Sequence, residues 1–193
     1  MRLYRLSLLI VYLVSFAAVA HLTAEGFTYY SSPLIERPRH EMYWSLKPGG
    51  DRGILYGIAG AAMMILMLAY SLRKRIPWMR RWGAVGVWLD IHIYLGIFGP
   101  LLAILHTSFK VSGIVALSFW SMIIVALSGF VGRFLHLRLP ERAAGEWTAR
   151  DRRVMRAFHV WHVFHKPFAA IMYFFLILHV VVAWYTGYAW RWG

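Results

Sequence analysis

Apolar residues are concentrated in five long segments that are separated by shorter polar stretches. The segments cover residues 3–22, 53–72, 84–107, 114–135 and 158–185. A helix of about 20 predominantly apolar residues is long enough to cross the hydrocarbon core of a bilayer. The pattern therefore predicts an all-α fold, a polytopic membrane helical bundle with five transmembrane helices, in a single membrane domain over residues 1–193.

The first segment also has features of a signal peptide. Arg2 and Arg5 precede the apolar run, and Ala18, Val19 and Ala20 resemble a cleavage site. The apolar run is longer than is usual for a signal peptide. We therefore predict that this segment is a retained helix.

Composition supports the membrane class and restricts the chemistry. Hydrophobic residues make up 60% of the 193 residues and aromatic residues 17%, which is more apolar surface than a soluble domain of this size could bury. The sequence has no cysteine, so disulfides, thiolate-bound iron–sulfur clusters and covalently attached c-type haem are excluded. It also contains no nucleotide-binding motif of the GxGxxG or P-loop type.

The net charge of +13 is distributed unevenly along the chain. Residues 73–83 carry five basic residues and no acid, and residues 133–156 carry seven arginines against three acids. Basic residues of membrane proteins collect in cytoplasmic loops. The N-terminus is therefore predicted in the cytoplasm and the C-terminus outside, in a bacterial inner membrane, and the charge needs no nucleic-acid partner to explain it.

Two of the apolar segments contain a pair of histidines with the same spacing. His92 and His106 are fourteen residues apart, as are His165 and His179. Fourteen residues make about four helical turns, so each pair lies near one helix face with its members ~21 Å apart. The predicted topology makes the two helices parallel, which places His92 level with His165 and His106 level with His179. Facing imidazoles at one depth can ligate one iron, so the spacing predicts two haems.

Other uses of these histidines are open. A single intramembrane histidine often forms hydrogen bonds or handles protons. Two histidines without acids or thiolates would make a poor zinc site, and levels ~21 Å apart cannot form one coordination sphere. His162 is an alternative inner ligand, but it lies seventeen residues from His179. Because that spacing breaks the match, we favour His165.

Small and cationic residues near the histidines fit the same hypothesis. Four glycines are candidates for haem packing, because a porphyrin can approach the backbone closely there, although helix–helix contact is a commoner use of such residues: Gly96, Gly99, Gly129 and Gly132. Arg133 and Lys166 are candidate partners for the haem propionates.

At these residues the chain resembles membrane di-haem b-type cytochromes. A pair of histidines with thirteen residues between them on each of two helices is similar to the pattern in the cytochrome b of quinol-oxidising complexes. The transmembrane domains of ferric reductases and NADPH oxidases use closely similar spacing. The resemblance covers roughly residues 54–190, and it implies that His92, His106, His165 and His179 are axial ligands of two non-covalent haems b.

The chain departs from these families in two respects. The flavin and nicotinamide domain of the reductases is absent, and LPERAAGEW at residues 139–147 contains Pro-Glu but not the Pro-Glu-Trp-Tyr motif of a quinol site. We therefore expect an electron-transfer subunit of a membrane oxidoreductase or respiratory complex, with no catalytic residues of its own. Expected partners are membrane lipid and other redox subunits, with quinone as a further candidate. The alternatives are a self-contained ferric or quinone reductase, and a haemless transporter or scaffold.

Overall fold

The computed structural model describes residues 2–113, 115–140 and 146–187. Ile114, part of the basic stretch 133–156 and the end of the resemblance at residue 190 lie outside the described residues. All regular structure in the described part of the chain is helical, and five helices are long and apolar enough to cross a membrane, which confirms the predicted fold class. The helices are α1 (Arg2–Glu25), α2 (Phe27–Ser31), α3 (Tyr43–Leu46), α4 (Asp51–Arg75), α5 (Val85–Thr107), α6 (Val115–His136) and α7 (Ala149–Tyr185), with 3₁₀ turns at Arg37–Arg39 and Trp78–Arg81.

The last helix begins earlier than hydropathy predicts, at Ala149 rather than residue 158. Thr148 and Asp151 cap its N-terminus, because the side chain of each accepts a hydrogen bond from the backbone N–H of the other. The Asp151 N–H donates to Thr148 Oγ1 at 3.2 Å, and the Thr148 N–H donates to Asp151 Oδ2 at 2.9 Å, which is a capping box. At 1.5 Å per residue the helix is about 55 Å long, whereas a bilayer core is about 30 Å thick. Its first turns therefore extend beyond the apolar span.

The described chain forms two compact units. The first contains residues 2–110 with 183–187, and therefore α1 to α5. The second contains the described residues of 111–182, and therefore α6 and most of α7. The single domain predicted for the whole chain stays a prediction.

An antiparallel pair of helices, α4 and α5, forms the centre of the first unit. The backbones approach closely where two glycines meet: a Cβ on Gly60 would lie 3.0 Å from the Gly99 carbonyl oxygen, and one on Gly99 would lie 3.3 Å from the Gly60 oxygen. Small residues allow helices in a membrane to pack at such short distances. The contact fixes which residues of α4 face which residues of α5.

The loop between α1 and α4 covers the C-terminal end of α5. Its buried Arg37 donates Nε to the Ser32 oxygen at 3.0 Å and Nη2 to the Tyr30 oxygen at 2.7 Å. Arg37 Nη1 donates to the oxygen of Ser108, the residue that ends α5. Ser108 Oγ in turn donates to the Leu46 oxygen at 2.6 Å. These bonds join the loop to the helix pair and satisfy carbonyls that a buried loop would otherwise leave without donors.

Apolar and aromatic side chains fill the space under this loop. Burial raises the pKa of Tyr30 to about 12, so its phenol stays neutral at physiological pH. The buried cluster consists of Tyr29, Tyr30, Leu46, Tyr56 and Leu105. The loop is therefore a packed cover over the end of α5 rather than a loose connection.

A second buried arginine closes the opposite end of the helix pair. Arg73, in the last turn of α4, donates Nη2 to the Gly83 oxygen at 2.6 Å and to the Arg80 oxygen at 3.1 Å. Its Nε donates to the Trp82 oxygen at 3.4 Å. The connection from α4 to α5 is thus held by one side chain that donates to three carbonyls.

Helix α1 lies against α5 through polar as well as aromatic contacts. Tyr4 Oη donates to Asp90 Oδ2 at 3.0 Å, and the hydroxyls of Ser15 and Tyr94 are 2.7 Å apart. Asp90 is the acid that the sequence places inside an apolar segment. Its contact with a tyrosine hydroxyl gives it a partner at the start of α5.

Replacing Arg37 by alanine should destabilise the first unit. The change leaves buried carbonyls without donors, and each costs of the order of 1–3 kcal/mol. We expect a lower thermal unfolding midpoint in detergent, followed by circular dichroism, and faster protease cleavage within residues 26–50. Arg39→Ala is the matched control, because Arg39 lies on the same turn and is exposed; an equal loss in both variants would contradict the role of Arg37.

Candidate functional site

Two of the predicted ligands, His92 and His106, lie half-buried on α5 and bind α4 through the same ring nitrogen. His92 Nδ1 is 3.1 Å from the Met67 oxygen, and His106 Nδ1 is 2.8 Å from the Gly53 oxygen. A carbonyl oxygen can only accept a hydrogen bond, so Nδ1 carries the proton in both rings. In the neutral imidazole this leaves the lone pair on Nε2, the atom that would bind a metal.

The two acceptors on α4 repeat the spacing of the histidines. Gly53 and Met67 are fourteen residues apart, as are His92 and His106. The antiparallel packing of the helices produces this match, because moving along α5 by fourteen residues moves the facing position on α4 by the same number. Both rings are therefore oriented in the same way by the same neighbouring helix.

Glycine at position 57 gives His106 the room to reach α4. A Cβ added to Gly57 would lie 2.7 Å from His106 Nδ1 and 2.8 Å from its Cε1, which is too close for a carbon atom without movement of the ring. At the other end of α5, the His92 ring lies 5.1 Å from the ring of Tyr70. A shallow crevice beside it is lined by Tyr70, Trp88 and Leu95 among others.

In the second unit, His165 on α7 binds a serine of α6. His165 Nδ1 is 2.7 Å from Ser128 Oγ, and Ser128 Oγ lies 2.9 Å from the Val125 oxygen. The serine hydroxyl has one proton, which it can give either to the Val125 oxygen or to His165 Nδ1. If His165 binds a metal through Nε2, Nδ1 carries the ring proton and Ser128 accepts it.

Trp161 supports the same ring from another side. Its indole lies 4.8 Å from the His165 ring with 35° between the planes, and its Nε1–H donates to the Ser128 oxygen at 2.8 Å. The indole also contacts Gly132 so closely that a Cβ there would overlap it. Gly132 thus makes room for Trp161.

The alternative ligand His162 has different surroundings. Its ring lies 4.6 Å from the rings of both Phe158 and Trp161. His179, the remaining predicted ligand, lies half-buried further along α7. Which of His162 and His165 binds a metal stays a prediction, as does the role of His179.

The predicted packing glycines have contrasting surroundings. A Cβ on Gly96 would lie 3.1 Å from Met67 Sδ, and one on Gly99 would lie 3.1 Å from Met64 Cγ, so both glycines pack against α4. A Cβ on Gly129 would meet nothing within 4 Å. The haem contacts predicted for these glycines stay predictions.

The two predicted propionate partners lie on α6 and α7. Arg133 is half-buried in the last turn of α6, and Lys166 is exposed on α7 next to His165. Within the described residues, no group of three or more histidine, aspartate or glutamate side chains is arranged to hold a metal ion.

Sequence reasoning missed the residues that orient the histidines. Ser128 and the carbonyls of α4 are distant in sequence from the rings they contact, so no local spacing marks them. Trp161 lies four residues before His165 on the same helix, a spacing that places it beside the ring. Gly53, Gly57 and Gly60 do carry a signal, because they recur along one face of a predicted helix and so mark a close contact.

No protein-family model, curated protein sequence or solved structure matches this chain. The functional conclusion therefore depends on the residues and on their geometry.

Alanine substitutions at Gly129 and Gly132 of α6 should have different effects on thermal stability. Gly132→Ala should destabilise the second unit by about 1–3 kcal/mol, because the added methyl group displaces Trp161. In protein prepared without haem, Gly129→Ala should be neutral or stabilising by up to about 1 kcal/mol, because alanine favours a helix and no protein atom lies within 4 Å of the added Cβ. Thermal unfolding in detergent measures both effects, and equal midpoints for the two variants would contradict the packing described for Trp161.

Proposed function

We propose that this chain is a di-haem b-type cytochrome, a membrane subunit that carries electrons between the two faces of the membrane. His92, His106, His165 and His179 are the proposed axial ligands of two non-covalent haems b. The observation that carries the proposal is the state of Nδ1 in His92 and His106. Each Nδ1–H donates to a backbone oxygen, so the lone pair of the neutral ring is on Nε2, the nitrogen that would bind iron.

This arrangement is the one that metal-binding histidines require. Such a histidine almost always donates its other ring N–H to a carbonyl, carboxylate or comparable acceptor, which fixes the tautomer and the orientation of the ring. The equal spacing of the two pairs adds a second reason, because it allows the ligands to match at two depths. His165 is the favoured inner ligand because it keeps the fourteen-residue spacing to His179, whereas His162 lies seventeen residues from it.

A haemless proton pathway is less well supported by the same bonds. A relay histidine must take a proton on one ring nitrogen and release it from the other. The acceptors of His92 and His106 are backbone carbonyls, which have no proton to give. The Nδ1 side of each ring therefore leads to no proton donor.

Haem b held by two histidines has both axial positions filled, which suits outer-sphere electron transfer and disfavours oxygen binding. The chain's own residues hold the imidazoles in apolar helices, orient them through Nδ1 and limit water around them. Arg133 and Lys166 are the proposed partners for propionates. Quinone is a further candidate for electron exchange, beside membrane lipid as the surrounding solvent.

The start of α7 suits contact with another redox subunit. Four arginines on its first turns are exposed: Arg150, Arg152, Arg153 and Arg156. Complementary charge speeds association and fixes orientation, so an acidic redox protein is the proposed partner on this side. By the positive-inside rule, this side is the proposed cytoplasmic side of a bacterial inner membrane, with the C-terminus outside.

The purified chain should contain two haems b. Acid–acetone extraction should remove both, because neither is attached covalently, and a pyridine haemochrome assay should count close to two per chain. A count near zero would favour the transporter or scaffold hypothesis instead.

Single substitutions should remove the haems separately. His106→Ala should remove mainly the outer haem, and His165→Ala mainly the inner one, since the two histidines belong to different levels. Reduced-minus-oxidised spectra of the variants measure this. Loss of the same spectral component in both variants would contradict the proposed pairing of the histidines. Loss of the inner haem in His162→Ala but not in His165→Ala would show that His162, rather than His165, is the inner ligand.

The chain should be recovered from its native membrane within a larger redox complex. The physical reason is the row of exposed arginines at the start of α7, which suits an acidic redox partner. Mild detergent extraction followed by native electrophoresis and mass spectrometry tests this. Recovery as a single chain that reduces a ferric chelate or a quinone, when given a chemical reductant, would support the self-contained reductase.

A further inference from the structure

We infer that Ser128 is a positioning residue for His165, and that its hydroxyl lowers the reduction potential of the haem bound by this histidine. The inference rests on the proposed function. It extends that function by naming a residue of α6, a helix that contributes none of the proposed ligands, as one that tunes one haem and not the other.

Binding of iron through Nε2, as in the proposed function, would define the direction of the bond between His165 and Ser128. Nδ1 would then carry the ring proton and donate to Ser128 Oγ at 2.7 Å, and Ser128 would give its one proton to the Val125 oxygen at 2.9 Å. A hydroxyl that already donates is a better acceptor, because successive hydrogen bonds polarise one another. The chain of bonds thus draws the Nδ1 proton toward Ser128.

Trp161 holds Ser128 and the His165 imidazole within hydrogen-bonding distance of each other. Its Nε1–H binds the backbone oxygen of Ser128, and its ring packs on His165. Because Gly132 admits the indole to the surface of α6, the three groups have little freedom to separate. These contacts fix the position of Ser128 relative to the His165 ring.

The hydrogen-bond acceptor on His165 Nδ1 affects the reduction potential of the bound iron. An acceptor on Nδ1–H makes the imidazole a more basic ligand, and a more basic ligand stabilises ferric over ferrous iron. The acceptors of His92 and His106 are backbone oxygens, which no side-chain substitution removes. At His165 the acceptor is a side chain, so one substitution can delete it and leave the backbone intact.

The test compares Ser128→Ala with Ser118→Ala in the full-length, haem-loaded protein. Ser118 is a matched control, because it also lies on α6 and donates to an oxygen of α7, that of Met172 at 3.4 Å, without touching a histidine. Redox titration followed by optical spectra gives the midpoint of each haem, and electron paramagnetic resonance reports the ligand field of each ferric iron. His165→Ala identifies the haem to which the change belongs.

Ser128→Ala should raise the potential of the His165 haem and alter its resonance, while the other haem keeps its wild-type values. At the wild-type midpoint the ratio of reduced to oxidised haem should rise about tenfold, which is about 59 mV for one electron. Ser128→Thr keeps the hydroxyl and should restore the wild-type midpoint. If Ser128→Ala is not recovered with haem, Ser128→Cys, a weaker acceptor, should give a smaller shift in the same direction.

Three results would overturn the inference. They are unchanged midpoints and resonances in the recovered Ser128 variants, a shift of both haems together, and the same shift in Ser118→Ala. Each of them leaves the proposed function standing, because the haems are still present. If the wild-type chain contained no haem, both the proposed function and this inference would be wrong.

Discussion

The close packing of α4 against α5 is the constraint on which the first unit depends. Gly60 and Gly99 bring the two backbones together, and this distance decides whether an imidazole on α5 can reach a carbonyl on α4. A wider separation would leave the Nδ1–H of both His92 and His106 without these acceptors. Burying such a group without a partner costs of the order of 1–3 kcal/mol. A helix contact made by two glycines thus controls the orientation of two histidine side chains about four turns apart.

The same logic explains the arginines at the ends of the helix pair. Near a membrane boundary, backbone polar groups must find partners within the protein wherever water is excluded. Arg37 at one end and Arg73 at the other each supply several donors to carbonyls that helix hydrogen bonds leave free. The helix pair is therefore held at its middle by packing and at its ends by buried cations. The imidazole rings of His92 and His106 lie between these ends and therefore have little freedom to reorient.

Sequence alone could predict much of the fold because hydropathy reports where a helix is apolar. It could not predict the start of α7, since Thr148 and Asp151 initiate that helix in a polar stretch. The equal spacing of the histidines was visible because helix periodicity is local. Ser128 was not, because its relation to His165 spans 37 residues and depends on how two helices face each other. Spacing along one helix marks candidate ligands, whereas the groups that orient them belong to neighbouring helices.

The two units orient their histidine rings with different kinds of hydrogen-bonding partner. On α5, backbone oxygens accept from the imidazoles, and a small residue such as Gly57 is needed so that the ring can come close. On α7, a serine extends from α6 to meet the ring, and the bulk of Trp161 fills the space beside it. Backbone acceptors are insensitive to substitution at their own position, while a side-chain acceptor can be gained or lost in one step. Single substitutions can therefore change the surroundings of the proposed ligand on α7, while those of the proposed ligands on α5 change only if the helix packing itself changes.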